Sequence, residues 1–290
     1  MRSYLIQHLI IACPVLPALL FSVACATEVS EADQTRAASL NQQGLVQFQQ
    51  GNLARALQNF QSASETNPRE AEYPNNAGMA LLQSGQAEKA LMRFEQAADL
   101  NESLALYPYN QALALVRLNE DERAIAALEK AVAIKPDYFD AFAYSGLIHF
   151  KNAEFQKAAD AWEKATTLRD NAELESNLGL AYMNLEKPES AEGRLKKAIE
   201  LEPTSALAHY NAGVFYQRQQ KLAEAEQSYL KAVANDPAKI EAYMNAAIVQ
   251  TKLGDKTGAI ANLEQFIQRA PPAMTAQVND AQQRLAELRK

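Results

Sequence analysis

The sequence predicts an all-α solenoid of seven tandem helix pairs closed by one further helix. Three observations carry this. Ala, Leu, Glu and Gln dominate the 290 residues, and β-branched residues are sparse and never alternate over a strand's length. Small and bulky residues recur in register every 34 positions from Ala37 onward, with a single step of 33. From Met274 the residues Met274, Val278, Ala281, Leu285 and Leu288 fall at helical spacing.

The recurring columns define the elements. A small residue stands at Gly44, Gly78, Ala112, Gly146, Gly179, Gly213 and Ala247. An alanine follows at Ala56, Ala90, Ala124, Ala158, Ala191, Ala225 and Ala259. A bulky residue comes four later, at Phe60, Phe94, Leu128, Trp162, Leu195, Tyr229 and Leu263. A second small column holds Ala63, Ala97, Ala131, Ala165, Ala198 and Ala232, with Ile267 as the exception. Proline closes five rows, at Pro68, Pro136, Pro203, Pro237 and Pro272.

In period and pattern these residues resemble the tetratricopeptide repeat. The resemblance spans 37–272, in rows 37–70, 71–104, 105–138, 139–171, 172–205, 206–239 and 240–273. It implies antiparallel helix pairs stacked into a right-handed superhelix with a concave, protein-binding groove. Glu102 and Asp170 replace the closing proline, and Pro74 and Pro108 stand where the family favours Trp. Those two prolines fall in a first helical turn, where a missing N–H is cheap, and should only shorten their helices. Small columns let paired helices approach closely, and the bulky column fills the space toward the next row. One pair cannot bury its own apolar face, so the rows are stable only as a stack. Residues 274–290 suit the capping helix such a stack needs, and 27–36 reads as a polar tether.

The first 26 residues are of another kind. Arg2 precedes an almost wholly apolar run from Leu5 to Val23, and Ala24-Cys25-Ala26 ends it. This is the pattern of an export signal. Two cleavages fit: after Ala26, or before Cys25 with lipidation of that cysteine, although Ser22 departs from the lipobox pattern. A third fate, an uncleaved anchor, would place Pro14 and Pro17 inside the bilayer. The expected location is therefore the periplasm or a periplasm-facing membrane surface, with secretion as the alternative. Any membrane contact would run through the lipid.

Charge and motifs exclude several classes. A net charge of −7, from 28 basic and 35 acidic residues without long like-charge runs, leaves no basic stripe for nucleic acid. The histidines His149 and His209 stand in different rows at columns that elsewhere include Tyr, Leu or Phe, and read as packed side chains. Gly254 to Gly258 reads as an interhelical turn, not a phosphate cradle. No catalytic, metal or cofactor constellation is present in the sequence, and no oligomeric state is encoded in a recognisable motif.

What remains is binding. The resemblance places one face of each first helix on the groove. The residue after the small column is apolar in every row: Leu45, Met79, Leu113, Leu147, Leu180, Val214 and Ile248. Three further on stand Phe48, Leu82, Val116, Phe150 and Met183, and four before the apolar position stand Tyr109 and Tyr210. Spacings of three and four put these on one side of the helix. The stripe predicts a site for an apolar or amphipathic segment of a partner protein; the alternatives are packing between first helices or cover by the chain's own N-terminal segment. Beside it runs an amide ladder, Asn76, Asn110, Asn177, Asn211 and Asn245. It suits either a peptide backbone or the neighbouring helix. Arg117, Lys151, Arg218 and Lys252 flank the stripe. The expected role is a protein-binding scaffold in the cell envelope, supporting assembly or localisation of a complex. A holder of exported clients, or an adaptor delivering substrates to an enzyme, is the alternative.

Overall fold

A computed structural model describes residues 28–290. The signal-like segment and Cys25 lie outside the described residues. Seven antiparallel helix pairs follow one another. Row one pairs α1 (Glu31–Gln49) with α2 (Leu53–Thr66), and row two α3 (Glu72–Gln83) with α4 (Ala87–Leu100). Row three pairs α5 (Leu106–Arg117) with α6 (Asp121–Ile134), and row four α7 (Phe139–Lys151) with α8 (Phe155–Leu168). Row five pairs α9 (Ala172–Asn184) with α10 (Pro188–Leu201), and row six α11 (Ala206–Arg218) with α12 (Leu222–Asn235). Row seven pairs α13 (Ile240–Leu253) with α14 (Lys256–Arg269). A 3-10 turn, Pro272–Met274, leads to α15 (Thr275–Leu288). Among the described residues there is no strand, and no helix is long and apolar enough to cross a membrane.

The core follows the columns. Ala56, Ala90, Ala124, Ala158, Ala191, Ala225 and Ala259 are fully buried, which is what lets the paired helices touch. The bulky column does more than reach the next row. Each ring lies first on the small residue of its own row: a Cβ built on Gly44 or Gly78 would stand 2.5 Å from Phe60 or Phe94. Phe60 also shares a core with Ala77 and Ala80 of the following row. One side chain therefore ties the pair together and joins it to the stack.

Second helices end where expected, and proline is not needed for it. The residue after α2, Asn67, is extended before Pro68, as a residue preceding proline must be. Asn101 and Arg169 adopt the same extended conformation ahead of Glu102 and Asp170. With Pro74 and Pro108 in their first turns, α3 and α5 have 12 residues, against 13 or 14 in the later first helices.

One expectation is corrected at the N-terminus. Residues 31–36 are not tether but the first turns of α1. The Ser30 hydroxyl accepts the Asp33 N–H at 3.1 Å, and Glu31 and Asp33 complement the positive helix end. At the other end Val278, Ala281, Leu285 and Leu288 of α15 pack on Tyr243, Leu263 and Phe266, so the helix covers the last row as a cap. Gly254 is left-handed at φ 82°, and Asp255 caps α14 by accepting the Gly258 N–H at 2.9 Å, which makes this segment a turn.

Both histidines are structural. His209 is buried and bonded to the Pro203 carbonyl at 2.9 Å. His149 has an acidic neighbour five residues on: Glu154 Oε2 lies 2.6 Å from Nδ1 across the α7–α8 turn. Glu154 also accepts from Lys157, and the two bonds, Lys157 first, hold its carboxyl below the usual range. The pair ties a turn. In row five Glu175 is fully buried in a column that elsewhere holds Leu40, Pro74, Pro108, Phe142, His209 and Tyr243. Arg194 bonds its Oε2 at 3.2 Å. Lys197 forms an ion pair with Oε1 at 2.7 Å and offsets its charge.

Candidate protein-binding face

The first helices lie side by side, and the amides of the predicted ladder join them. Asn76 donates to Asn41 Oδ1 at 2.9 Å, Asn110 to Asn75 Oδ1 at 2.7 Å, and Asn211 to Ser176 Oγ at 2.8 Å. Asn245 donates to the Tyr210 hydroxyl at 3.3 Å. Each bond runs from one row back to the preceding row, 35 residues earlier. In row four Tyr144 replaces the amide and meets Tyr109 edge-on, with centroids 6.3 Å apart. The ladder is thus engaged in stacking the rows. Asn177 alone has no side-chain partner among the described residues, because the position it faces is Ala143.

The predicted apolar stripe divides in two. Phe48, Leu82, Val116, Phe150 and Met183 are half-buried and packed against the core clusters of their rows, as are Leu45, Met79, Tyr109, Tyr210 and Val214. Leu113, Leu147, Leu180 and Ile248 belong to no core cluster among the described residues. Leu147 is the most open, at 44% exposure, although its row is central. Three consecutive rows therefore present an uncommitted leucine on the same helix face.

Beside this patch Tyr109, Tyr138 and Tyr144 form an aromatic group, with Tyr109 and Tyr138 centroids 5.3 Å apart. Burial, then the charge of Asp140, pushes the Tyr109 phenol up to about 12, so at neutral pH it is an uncharged donor. Arg117, Lys151, Arg218 and Lys252 are exposed at the last turns of their helices. A second charged column was not anticipated. Seven residues before each apolar position come Ala38, Glu72, Leu106, Asp140, Glu173, Leu207 and Glu241, acidic in four of seven rows. The alternation was readable in the sequence, but only once the open face was known.

Among the described residues no group of His, Cys, Asp and Glu is placed to hold a metal ion. The face is made of leucine, tyrosine, amide and surface charge, which is the chemistry of protein recognition.

Stacked antiparallel pairs joined through their first helices define a tetratricopeptide-type solenoid, and two sequence profiles, both described as Tetratricopeptide repeat, match the chain, one over residues 41–108, 109–173 and 176–240 and the other over 241–273. The chain belongs to the tetratricopeptide-repeat family. Among solved structures it is similar to YrrB, described as a TPR protein with an unusual peptide-binding site, at 26% identity and TM-score 0.50 over 64% of this chain and 97% of that one. It is similar to MamA at 25% identity and TM-score 0.52, over 55% of this chain and 94% of that one. A tetratricopeptide repeat protein from Parabacteroides merdae shares the fold at TM-score 0.65 and 14% identity, over 88% of this chain and 99% of that one. No curated protein matches the chain.

Proposed function

We propose that this chain is an exported scaffold of the cell envelope whose first-helix face binds an apolar or amphipathic segment of a partner protein. The observation that carries the reading is the run Leu113, Leu147 and Leu180, apolar side chains on successive rows that no core cluster uses. Leu147 is exposed and Leu113 and Leu180 are half-buried, and apolar surface in register along a solenoid marks an interaction site when packing has no need of it. The likeness to YrrB, whose description includes a peptide-binding site, supports a peptide-like partner. The export half of the reading rests on residues 1–26 alone. There the scaffold would help assemble or localise an envelope complex.

The test is a crosslinked capture from cell envelopes, comparing the natural chain with a Leu113→Glu/Leu147→Glu variant of equal helicity. A small set of proteins lost in the variant supports the scaffold. A broad, weakly held set lost in the variant would favour a holder of exported clients. Identical capture by both forms overturns the reading. Anchoring through Cys25 is tested separately. Cys25→Ser should release the protein from membranes and abolish acyl labelling, and unchanged fractionation would refute lipidation.

A further inference from the structure

Packing leaves a strip open on the first helices of rows three, four, five and seven, where the floor residue joins no core cluster among the described residues, and three columns run along the stack there. The acidic column, Glu72, Asp140, Glu173 and Glu241, lies in the first turns. The apolar floor lies at mid-helix. The basic column, Arg117, Lys151, Arg218 and Lys252, lies in the last turns. The outer columns are eleven residues apart with the floor seven from one and four from the other, so all three share one helix face. At 1.5 Å per residue the charged columns stand about 16 Å apart. Rows four and seven carry both charges, and every three successive rows from row two onward carry two of each sign, so along the stack the face is an apolar floor between two interrupted rails of opposite sign.

The helix dipole favours acids at N-termini and bases at C-termini, but it does not select the open side of the helix. Several of these charges are also uncommitted. Arg117, Arg218, Lys252 and Glu173 make no side-chain hydrogen bond or ion pair among the described residues. Glu72 accepts from Asn41 at 3.0 Å and Asn76 at 3.3 Å. Asp140 is 3.9 Å from Arg169, Glu241 is 3.5 Å from Lys239, and Lys151 pairs with Asp121 at 2.9 Å.

An α-helix with its side chains is about 10–12 Å across, which seats between rails about 16 Å apart. We propose that this face takes an amphipathic helix of a partner protein, apolar beneath, basic on the flank over the acidic rail and acidic on the flank over the basic rail. The two rails thereby set the direction in which the partner helix runs. Turning such a helix end for end keeps its apolar side down but exchanges its flanks, so only one direction satisfies both rails. The inference rests on the proposed scaffold reading and adds the chemistry and polarity of its partner.

The probes are four synthetic helices of about 20 residues, roughly 30 Å long and so spanning about three first helices at about 9 Å spacing. All carry one leucine stripe and a photo-crosslinker at the N-terminus. One has lysine on its left flank and glutamate on its right, one the reverse, one lysine on both and one glutamate on both. At low salt the two mixed helices should bind about ten-fold more tightly than the single-sign helices. Their crosslinks should fall toward opposite ends of the solenoid. Equal binding by all four, or the same crosslink pattern from both mixed helices, overturns the rails while leaving the apolar face as the site. Binding by none overturns the scaffold reading as well.

Discussion

The indole of Trp162 occupies the volume that a Cβ on Gly146 would need, and its Nε1–H donates to the Ala143 carbonyl one turn earlier at 3.0 Å. The relationship recurs along the stack with the sizes traded. Phe60, Phe94 and Tyr229 stand on Gly44, Gly78 and Gly213, whereas Leu128 and Leu263 stand in rows whose small residue is Ala112 or Ala247; row five alone pairs a leucine, Leu195, with a glycine, Gly179. The two columns are one packing decision. Gly146→Ala should destabilise by about 1–3 kcal/mol through overpacking, despite alanine's better helix propensity. Adding Trp162→Leu, the pairing of rows three and seven, should recover part of that loss. A double-mutant cycle by urea unfolding should give a coupling above about 1 kcal/mol, and strictly additive effects would mean that the two residues do not share space.

The turn between the helices of every row contains one residue with positive φ. Glycine serves at Gly51, Gly85 and Gly254, but Asn119, Ala153, Glu186 and Gln220 adopt φ between 56° and 61°. A Cβ in this region costs about 1–2 kcal/mol, partly offset because glycine also loosens the unfolded chain. Ala153→Gly, Glu186→Gly and Gln220→Gly should each raise stability by about 0.5–1 kcal/mol, and Gly85→Ala should lower it. Denaturant midpoints measure this, and unchanged or lower midpoints for the three glycine variants would show that the turns are unstrained.

These turns mark the limit of what the sequence discloses. The period, the helix pairs and the cap were legible because every row solves the same packing problem with the same residue sizes. The left-handed column was not: Ala153, Glu186 and Gln220 carry no local preference for it, and the docking of two helices imposes it. The start of α1 was missed because residues 27–36 look polar, while the Ser30 cap and buried Ala37 extend the helix back to Glu31. The ladder could be read as a column but not as a set of bonds, because its partners lie 35 residues away and meet only after stacking. The split of the apolar stripe into packed and open halves likewise depends on which neighbours the stack supplies.

The ladder makes a sharp contrast between two asparagines of one column. Asn211 is 2% exposed and is the partner of the fully buried Ser176 hydroxyl, whereas the Asn177 side chain faces Ala143 and bonds nothing among the described residues. Removing one side of a buried hydrogen bond strands the other. Asn211→Ala should therefore cost about 1–3 kcal/mol, and Asn177→Ala about 0.5 kcal/mol or less. Ala143→Ser should then give Asn177 the partner that Ser176 gives Asn211. Calorimetric unfolding of the three variants decides it, and equal losses for Asn211→Ala and Asn177→Ala would remove the ladder from the account of stacking.

Tyrosines make the stack sensitive to alkali. Burial, ahead of the charge of Asp140, pushes Tyr109 up to about 12, and burial, ahead of its bond to Glu163, does the same for Tyr182. Tyr229, fully buried with its hydroxyl donating to Gln217 at 2.8 Å, is raised further in the same direction. An unfolded tyrosine releases its proton near pH 10, whereas these hold theirs when folded. Between the two values the unfolded state binds fewer protons, so stability falls as pH rises. The contribution is complete below about pH 10 and is lost as pH passes through about 12. Helicity should accordingly hold flat from neutral pH to about pH 10 and collapse above it, with phenolate absorbance rising in the same transition. Tyr109→Phe removes one of the raised groups and should move the alkaline midpoint upward while leaving neutral-pH stability nearly unchanged. If phenolate forms fully while the helices persist, the buried tyrosines ionise in place and burial is not what raises them.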